Sequence, residues 1–240
     1  MSGGGASPDG LSALVATPLF WLALTVGVFE AFDILSRKSG RHPLCHPVLW
    51  TTPVLIGLLW ATGTDYAAYK ADTFLLSFLL GPSVVGLAVP IWAQRERITR
   101  LAVPIALSLT AGAITSIACA VGILSLFGAP RAILASIAPR ATTTPVAMAI
   151  ADQLGGIPAL AAVIVLFAGC VGSMSATPLL NAFRFDDYRS RGFALGVSAH
   201  GFGAARAFQV NDTAGAFASL GMALNAVMTA LLLSLVAIAL

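Results

Sequence analysis

Apolar residues run along this chain in long blocks separated by short polar breaks, with no stretch of strict alternation. The blocks fall at 11–36, 46–61, 74–92, 101–127, 133–150, 157–183, 193–208 and 214–240. A helix needs about 20 apolar residues to cross the hydrocarbon core, so the pattern predicts an all-α polytopic membrane protein; without alternating segments a barrel is excluded. The block 11–36 reaches about 39 Å as a helix. No basic residue precedes it, so it reads as a spanning helix and not a cleavable signal. Residues 1–10 are expected to form a flexible tail. Residues 11–240 are expected to form a single transmembrane domain, with a first half at 11–127 and a second at 131–240.

The polar breaks carry the orientation. Basic residues of short loops prefer the cytoplasmic side, and here they cluster as Arg37, Lys38 and Arg41, then Arg95, Arg97 and Arg100, then Arg184, Arg189 and Arg191. Three blocks separate the second cluster from the third, an odd number that puts them on opposite sides if all three cross. The middle block is interrupted: Pro139 and Pro145 bracket Arg140, Ala141, Thr142, Thr143 and Thr144. Read as a re-entrant element, it leaves seven crossings, amino end out and carboxyl end in, with Lys70, Arg131 and Arg140 on the outer side or in a polar cavity. The alternative is eight full crossings with the third cluster outside, so the expectation is seven to eight transmembrane helices.

Composition narrows the class further. Of 240 residues, 58% are hydrophobic and 10% charged, against about 25% charged in soluble domains, which excludes an ordinary water-soluble enzyme. The net charge of +3 comes without any basic run of the kind that binds nucleic acid. Cys45, Cys119 and Cys170 have neither zinc nor redox spacing, and His200 has no Cys or carboxylate at ligand spacing, so no metal or cofactor is expected. An intramembrane enzyme would need a nucleophile, base or metal set that this chain lacks.

The scarce polar chemistry gathers at helix-breaking residues. Gly81 and Pro82 interrupt one block, with Ser83 beside them at the start of a second half-helix; His200, Gly201 and Gly203 interrupt another. Paired interruptions of this kind mark the binding site in many transporters, because freed backbone groups cannot face lipid. Thr142, Thr143 and Thr144 before Pro145 predict a short helix whose N-terminus aims free N–H groups at a break, an arrangement that attracts anions. Arg206 either binds a carboxylate or reaches to the outer interface. His200 either carries a proton or hydrogen-bonds a neighbouring helix. Glu30 and Asp33 read as an interfacial ion-pair cluster with Arg37 and Lys38, or as a proton or sodium relay. Gly169, Gly172, Ser173, Ser175 and Ala176 signal close helix packing.

At these motifs the chain resembles the LrgB/CidB family, which includes the LrgB-like part of the plastidial glycolate/glycerate translocator. The resembling segments, in the family's order, are LLGPSVVGLAVPIW at 79–92, APRATTTPVAMAIADQLGG at 138–156, ALGVSAHGFGAARAF at 194–208 and GAFASLGMALN from Gly215. Where the family tends to Lys-Ser before the threonines and Ile-Gly-Thr after the histidine, this chain has Arg140-Ala141 and Phe202-Gly203-Ala204. The resemblance implies a secondary transporter of small organic acids such as glycolate, glycerate or pyruvate in the inner (cytoplasmic) membrane, coupled to protons or sodium. Bacterial members are also described as holin-like proteins linked to murein hydrolase export and cell lysis. It further implies crossed broken helices, an inverted repeat, an elevator-type homodimer and a small LrgA-like membrane partner. On this reading the carboxylate meets Arg206 and the half-helix N-termini, Ser83 and the threonines meet the hydroxyl, and His200 couples the proton.

Overall fold

The computed structural model describes residues 17–39, 45 and 47–239, and all the regular structure among them is helical. The expected tail 1–10, the start of the first span at Leu11, the loop residue Arg41 and the histidines His42 and His46 lie outside the described residues. The chain forms two compact units that divide between Gly86 and Leu87.

In the first unit, α1 (Pro18–Lys38) opens with proline in its first turn and closes on Arg37 and Lys38, where cations complement the helix dipole. Asp33 accepts from Arg37 Nε at 2.6 Å one turn away, as an interfacial ion pair should. α2 (Pro47–Thr62) is shorter. α3 (Tyr66–Asp72) is capped by Asp65 and held against α1 by a Tyr69–Thr25 hydroxyl contact of 3.0 Å and by the edge of the fully buried Trp21. α4 (Phe74–Gly86) runs without a break through Gly81 and Pro82. Proline removes one N–H, and membrane helices absorb that loss through nearby hydroxyls. Here Ser83 Oγ donates to Leu79 O at 2.7 Å, one residue along from the Phe78 carbonyl that Pro82 cannot reach. The expected half-helix start at Gly81, Pro82 and Ser83 is therefore corrected: the interruption comes later, at Leu87, before α5 (Ala88–Ala93).

The second unit contains the remaining helices. After α5, which also lies in this unit, they are α6 (Arg95–Arg100), α7 (Ala102–Leu126), α8 (Arg131–Ile137), α9 (Thr144–Gln153), α10 (Pro158–Ala182), α11 (Tyr188–Val210) and α12 (Asp212–Ala239). α8 and α9 have 7 and 10 residues, about 10 and 15 Å, too short to cross a membrane. They fold back on one another, since Ile157 N donates to Ser136 Oγ at 2.8 Å and so returns the chain to the end of α8. The 131–154 segment is thus a re-entrant pair in shape.

α11 departs from the expected crossing at 193–208. A straight helix of its length separates Tyr188 from Val210 by about 33 Å. Instead Asp187, Arg189, Asn211 and Thr213 line one cavity, and Gly203 lies against the backbone of Leu195 with no room for a Cβ. The reversal is at Ala199 and His200, whose dihedrals are not helical, so 188–198 and 201–210 are two half-helices of a hairpin. Gly192 and Gly196 let 188–198 lie against the backbone of α12 at Ala214 and Ala218, running in the same direction. The apolar core joins Leu195, Ala204 and Ala207 to Ala176, Ala214 and Ala218.

Among the described residues, five helical segments are long and apolar enough to cross a membrane: Leu19–Lys38, Phe74–Ala93, Ala102–Leu126, Pro158–Ala182 and Asp212–Leu235, with Pro47–Thr62 a shorter apolar helix. The second and third basic clusters share one end of the second unit, since Arg97 and Arg189 line the same cavity. That agrees with the charge rule and with α8 and α9 not crossing.

Candidate functional site at the two hairpin tips

The α11 reversal is strained. His200 has φ 41° and ψ −127°, a conformation that residues other than glycine rarely adopt, one that costs about 1–3 kcal/mol and persists only where surrounding contacts impose it. Those contacts are visible. His200 is 3% exposed, and its Nε2 lies 3.1 Å from Val165 O of α10. A carbonyl only accepts, so Nε2 is the donor in this hydrogen bond. Phe202 meets the imidazole edge-on at 5.7 Å. The ring has space because α10 offers Gly169, where a Cβ would lie 2.6 Å from Cε1, and the Ala199 methyl fits likewise over Gly172. The small residues of α10 are therefore the bed on which the tip rests.

The second tip is the 138–143 loop between α8 and α9. Thr142 is buried and turns its hydroxyl to Pro139 O at 2.8 Å. Thr143 is the N-cap of α9 in extended conformation and makes no side-chain cap, Thr144 is the first helical residue and Pro145 follows, so this N-terminus keeps unsatisfied N–H groups. The half-helix 201–210 likewise begins at its own tip. Two positive dipole ends thus start from the two reversals.

Asn225 joins the tips. It is fully buried in α12, and its Nδ2 donates to Ala141 O of one tip at 2.9 Å and to Val197 O beside the other at 3.1 Å. Its Oδ1 is buried without a partner. The groups meet near mid-helix of three membrane-length helices: Gly112 of α7 against Val197, Val165 to Gly172 of α10 against the His200 tip, and Asn225 of α12.

A cavity of about 630 Å³ leads to this level from the basic end. Its mouth holds Leu101, Asp187, Arg189 and Ser190, and its inner end Thr115, Ser116, Arg140 and Ser198. The order follows from packing, since Ala138 clusters with Ile117 and Val121 of α7 and Val197 touches Gly112. At the mouth Asp187 caps α11 through Arg189 N at 2.9 Å and pairs with Arg189 Nη2 at 2.8 Å. The side-chain hydrogen bond from Arg189 holds the Asp187 carboxyl below the usual carboxylate range, and burial opposes it weakly. Arg140 is half-buried, and its guanidinium has no hydrogen bond or ion pair among the described residues. The Thr115 and Ser116 hydroxyls make none either, whereas Thr110 of the same helix donates to its own Ala106 O.

The structure thus gathers Arg140, Thr142, Thr143, Thr144, Pro145, His200, Gly201 and Gly203 around the two tips of the second unit. Gly81, Pro82 and Ser83 lie in the first unit, and Arg206, which contacts Gln209 at 3.4 Å, does not line the cavity. Asn225, Thr115 and Ser116 were not singled out from the sequence. Their signal was there: an amide in the middle of the last apolar run, and hydroxyls at 108 and 115 spaced to share one face of α7. Among the described residues no three His, Cys, Asp or Glu side chains group as metal ligands.

No solved structure matches the chain. The Bacillus subtilis (strain 168) protein named "Uncharacterized protein YwbG" is 33% identical over 208 residues, covering 87% of this chain and 92% of its own. The "Holin-like protein CidB" of Staphylococcus aureus (strain Mu50) is 28% identical over 215 residues, covering 90% and 93%, and its Staphylococcus epidermidis (strain RP62A) counterpart is 27% identical over 212, covering 88% and 92%. The family model described as LrgB-like matches residues 25–238, essentially the whole apolar chain with both hairpins. This membrane protein belongs to the LrgB-like family.

Proposed function

We propose that the chain is a secondary carrier of organic monocarboxylates in the cytoplasmic membrane, working by alternating access. The observation that carries the reading is the guanidinium of Arg140, which has no hydrogen bond or ion pair among the described residues and lines the cavity from the loop that precedes α9. A carboxylate answers it by forking onto the guanidinium. Small acids such as glycolate, glycerate or pyruvate are the class the family resemblance suggests. Arg140 rather than Arg206 is the anchor in this reading, because the cavity reaches Arg140.

Two successive pairs support an inverted repeat. A folded-back pair followed by a membrane-length helix occurs as α8 and α9 with α10, and again as the α11 hairpin with α12, the two pairs entering from opposite ends. Carriers of that design alternate access by moving one part against another around a midplane site. We assign coupling to a proton on Nδ1 of His200, whose Nε2 is already held by Val165. An elevator-type homodimer and a small LrgA-like membrane partner belong to the same reading.

A holin-like pore is the second reading, favoured by the printed name of the CidB relatives. A pore formed by association needs polarity along a whole helix, whereas here it is confined to the tips and one cavity. The test is uptake of labelled pyruvate and glycolate into vesicles holding the purified protein. Saturable uptake that falls at least tenfold in Arg140→Ala is expected. Non-saturable leakage of unrelated solutes of the same size would sink the carrier and favour the pore.

A further inference from the structure

The buried amide of Asn225 has one stable setting. Both Nδ2 hydrogens are spent, on Ala141 O at 2.9 Å and on Val197 O at 3.1 Å, and turning the group over would set Oδ1 against two carbonyl oxygens. Oδ1 itself is buried with no donor to draw the amide away from them. Each carbonyl belongs to a segment with a role in the carrier. Ala141 follows Arg140 in a loop tied by Arg140 N to Ile137 O at 3.1 Å and by Thr142 N to Pro139 O at 3.0 Å, with Pro139, Ala141 and Thr142 all buried. Val197 ends the half-helix that leads into the His200 reversal, and the imidazole is fixed in turn to Val165 O. A displacement of one tip therefore carries the other with it, or breaks a hydrogen bond and strands a carbonyl in a buried setting.

We propose that Asn225 is the positioning residue that links substrate to proton. This rests on the carrier reading above and on its assignment of the proton to His200. A carboxylate drawn onto Arg140 is felt at His200 through Ala141, the amide and Val197, and protonation of His200 tightens the hold of Arg140 by the same route. Such linkage is reciprocal, and coupling between two sites ordinarily changes affinity by about 5- to 150-fold. Few other groups around the tips titrate. α7 and α10 carry one thiol each, Cys119 and Cys170, the α12 residues after Asp212 carry no titratable side chain, and Arg140 and Arg206 stay cationic.

Equilibrium binding of labelled pyruvate to the protein in nanodiscs, at about pH 6 and about pH 8 to bracket the ordinary histidine range, reads the link. His42 and His46 are replaced by glutamine, which leaves His200 as the remaining histidine. Affinity is expected to be about fivefold or more higher on the acid side, and this ratio should fall to about one in His200→Gln and equally in Asn225→Ser, which keeps one donor for two carbonyls. Asn225→Thr, closer in volume, repeats the test if the serine variant does not fold. A ratio that persists without the amide overturns the proposal, because direct attraction between carboxylate and imidazolium needs no Asn225. Loss of binding at both pH values in both variants overturns it too, as the mark of a structural contact alone. Arg140-dependent binding with no pH preference while Asn225 is intact removes the link and the proton assignment but leaves the carrier's site; binding indifferent to Arg140→Ala removes the carrier reading itself.

Discussion

Asn225 carries two buried hydrogen bonds on one amide nitrogen, to carbonyls 84 and 28 residues away in the chain. Removing it leaves Ala141 O and Val197 O without a donor in a nearly dry setting. Asn225→Ala should therefore destabilise the detergent-solubilised protein by about 1–3 kcal/mol for each carbonyl stranded, read by thermal or denaturant unfolding. Unchanged stability would mean that water replaces the amide. His200 was open to two readings in the sequence, and the structure supplies its hydrogen bond to a neighbouring helix. The two roles separate by mutation. Gly169→Ala puts a methyl where the ring lies and should weaken the tip by about 1–3 kcal/mol. His200→Gln keeps a polar side chain but removes the titratable group. Under the coupling proposal it should abolish the response of uptake to an imposed pH gradient; unaltered gradient-driven uptake would leave the histidine with packing alone.

Among the elements, α11 decides most. Its first half depends on the Asp187 cap at the basic end, where carboxylate and guanidinium are both solvent-accessible. Asp187→Ala should cost about 1 kcal/mol through loss of the cap. Because the folded-state carboxyl titrates below its unfolded value, its contribution is present above the unfolded pKa and is lost as pH falls through the lower folded one. Acid unfolding of the wild type should accordingly be steeper than that of Asp187→Asn in the acidic range, and identical pH profiles would refute the linkage. Much of α11 was legible beforehand: the glycines around His200 announced a break. Its outcome was not, because Gly201 and Gly203 are equally compatible with a kink in a crossing helix and with a full reversal. The contact of Gly203 with the Leu195 backbone distinguishes them, and it is a non-local packing fact. In α4 the opposite happened. Gly81 and Pro82 signalled a break, but one missing N–H is a defect that a helix with a nearby serine tolerates.

For the whole molecule, the testable consequence is sidedness. Single cysteines at Arg97 and Arg189, in a background without the native thiols, should react from the same side with an impermeant reagent, and one at Gly128 from the other. Labelling of 97 and 189 from opposite sides would restore eight full crossings. The seven-crossing expectation rested on counting apolar runs, and that count treats 193–208 as a span because 16 mostly apolar residues look alike whether they cross or fold back.

The chain's apolar blocks alone determined that this is a helical membrane protein, and its basic clusters with Pro139 and Pro145 narrowed 131–154 to a re-entrant element or an eighth crossing. Those properties follow from transfer free energies and charge, which are nearly additive along the sequence. Only tertiary structure decided that α11 is a hairpin, that Arg140 and not Arg206 ends the cavity, and that Asn225 binds the two tips together. Each depends on which distant backbone fills a space left by a glycine or accepts from a buried amide, and such pairings have no signature within a single run of residues.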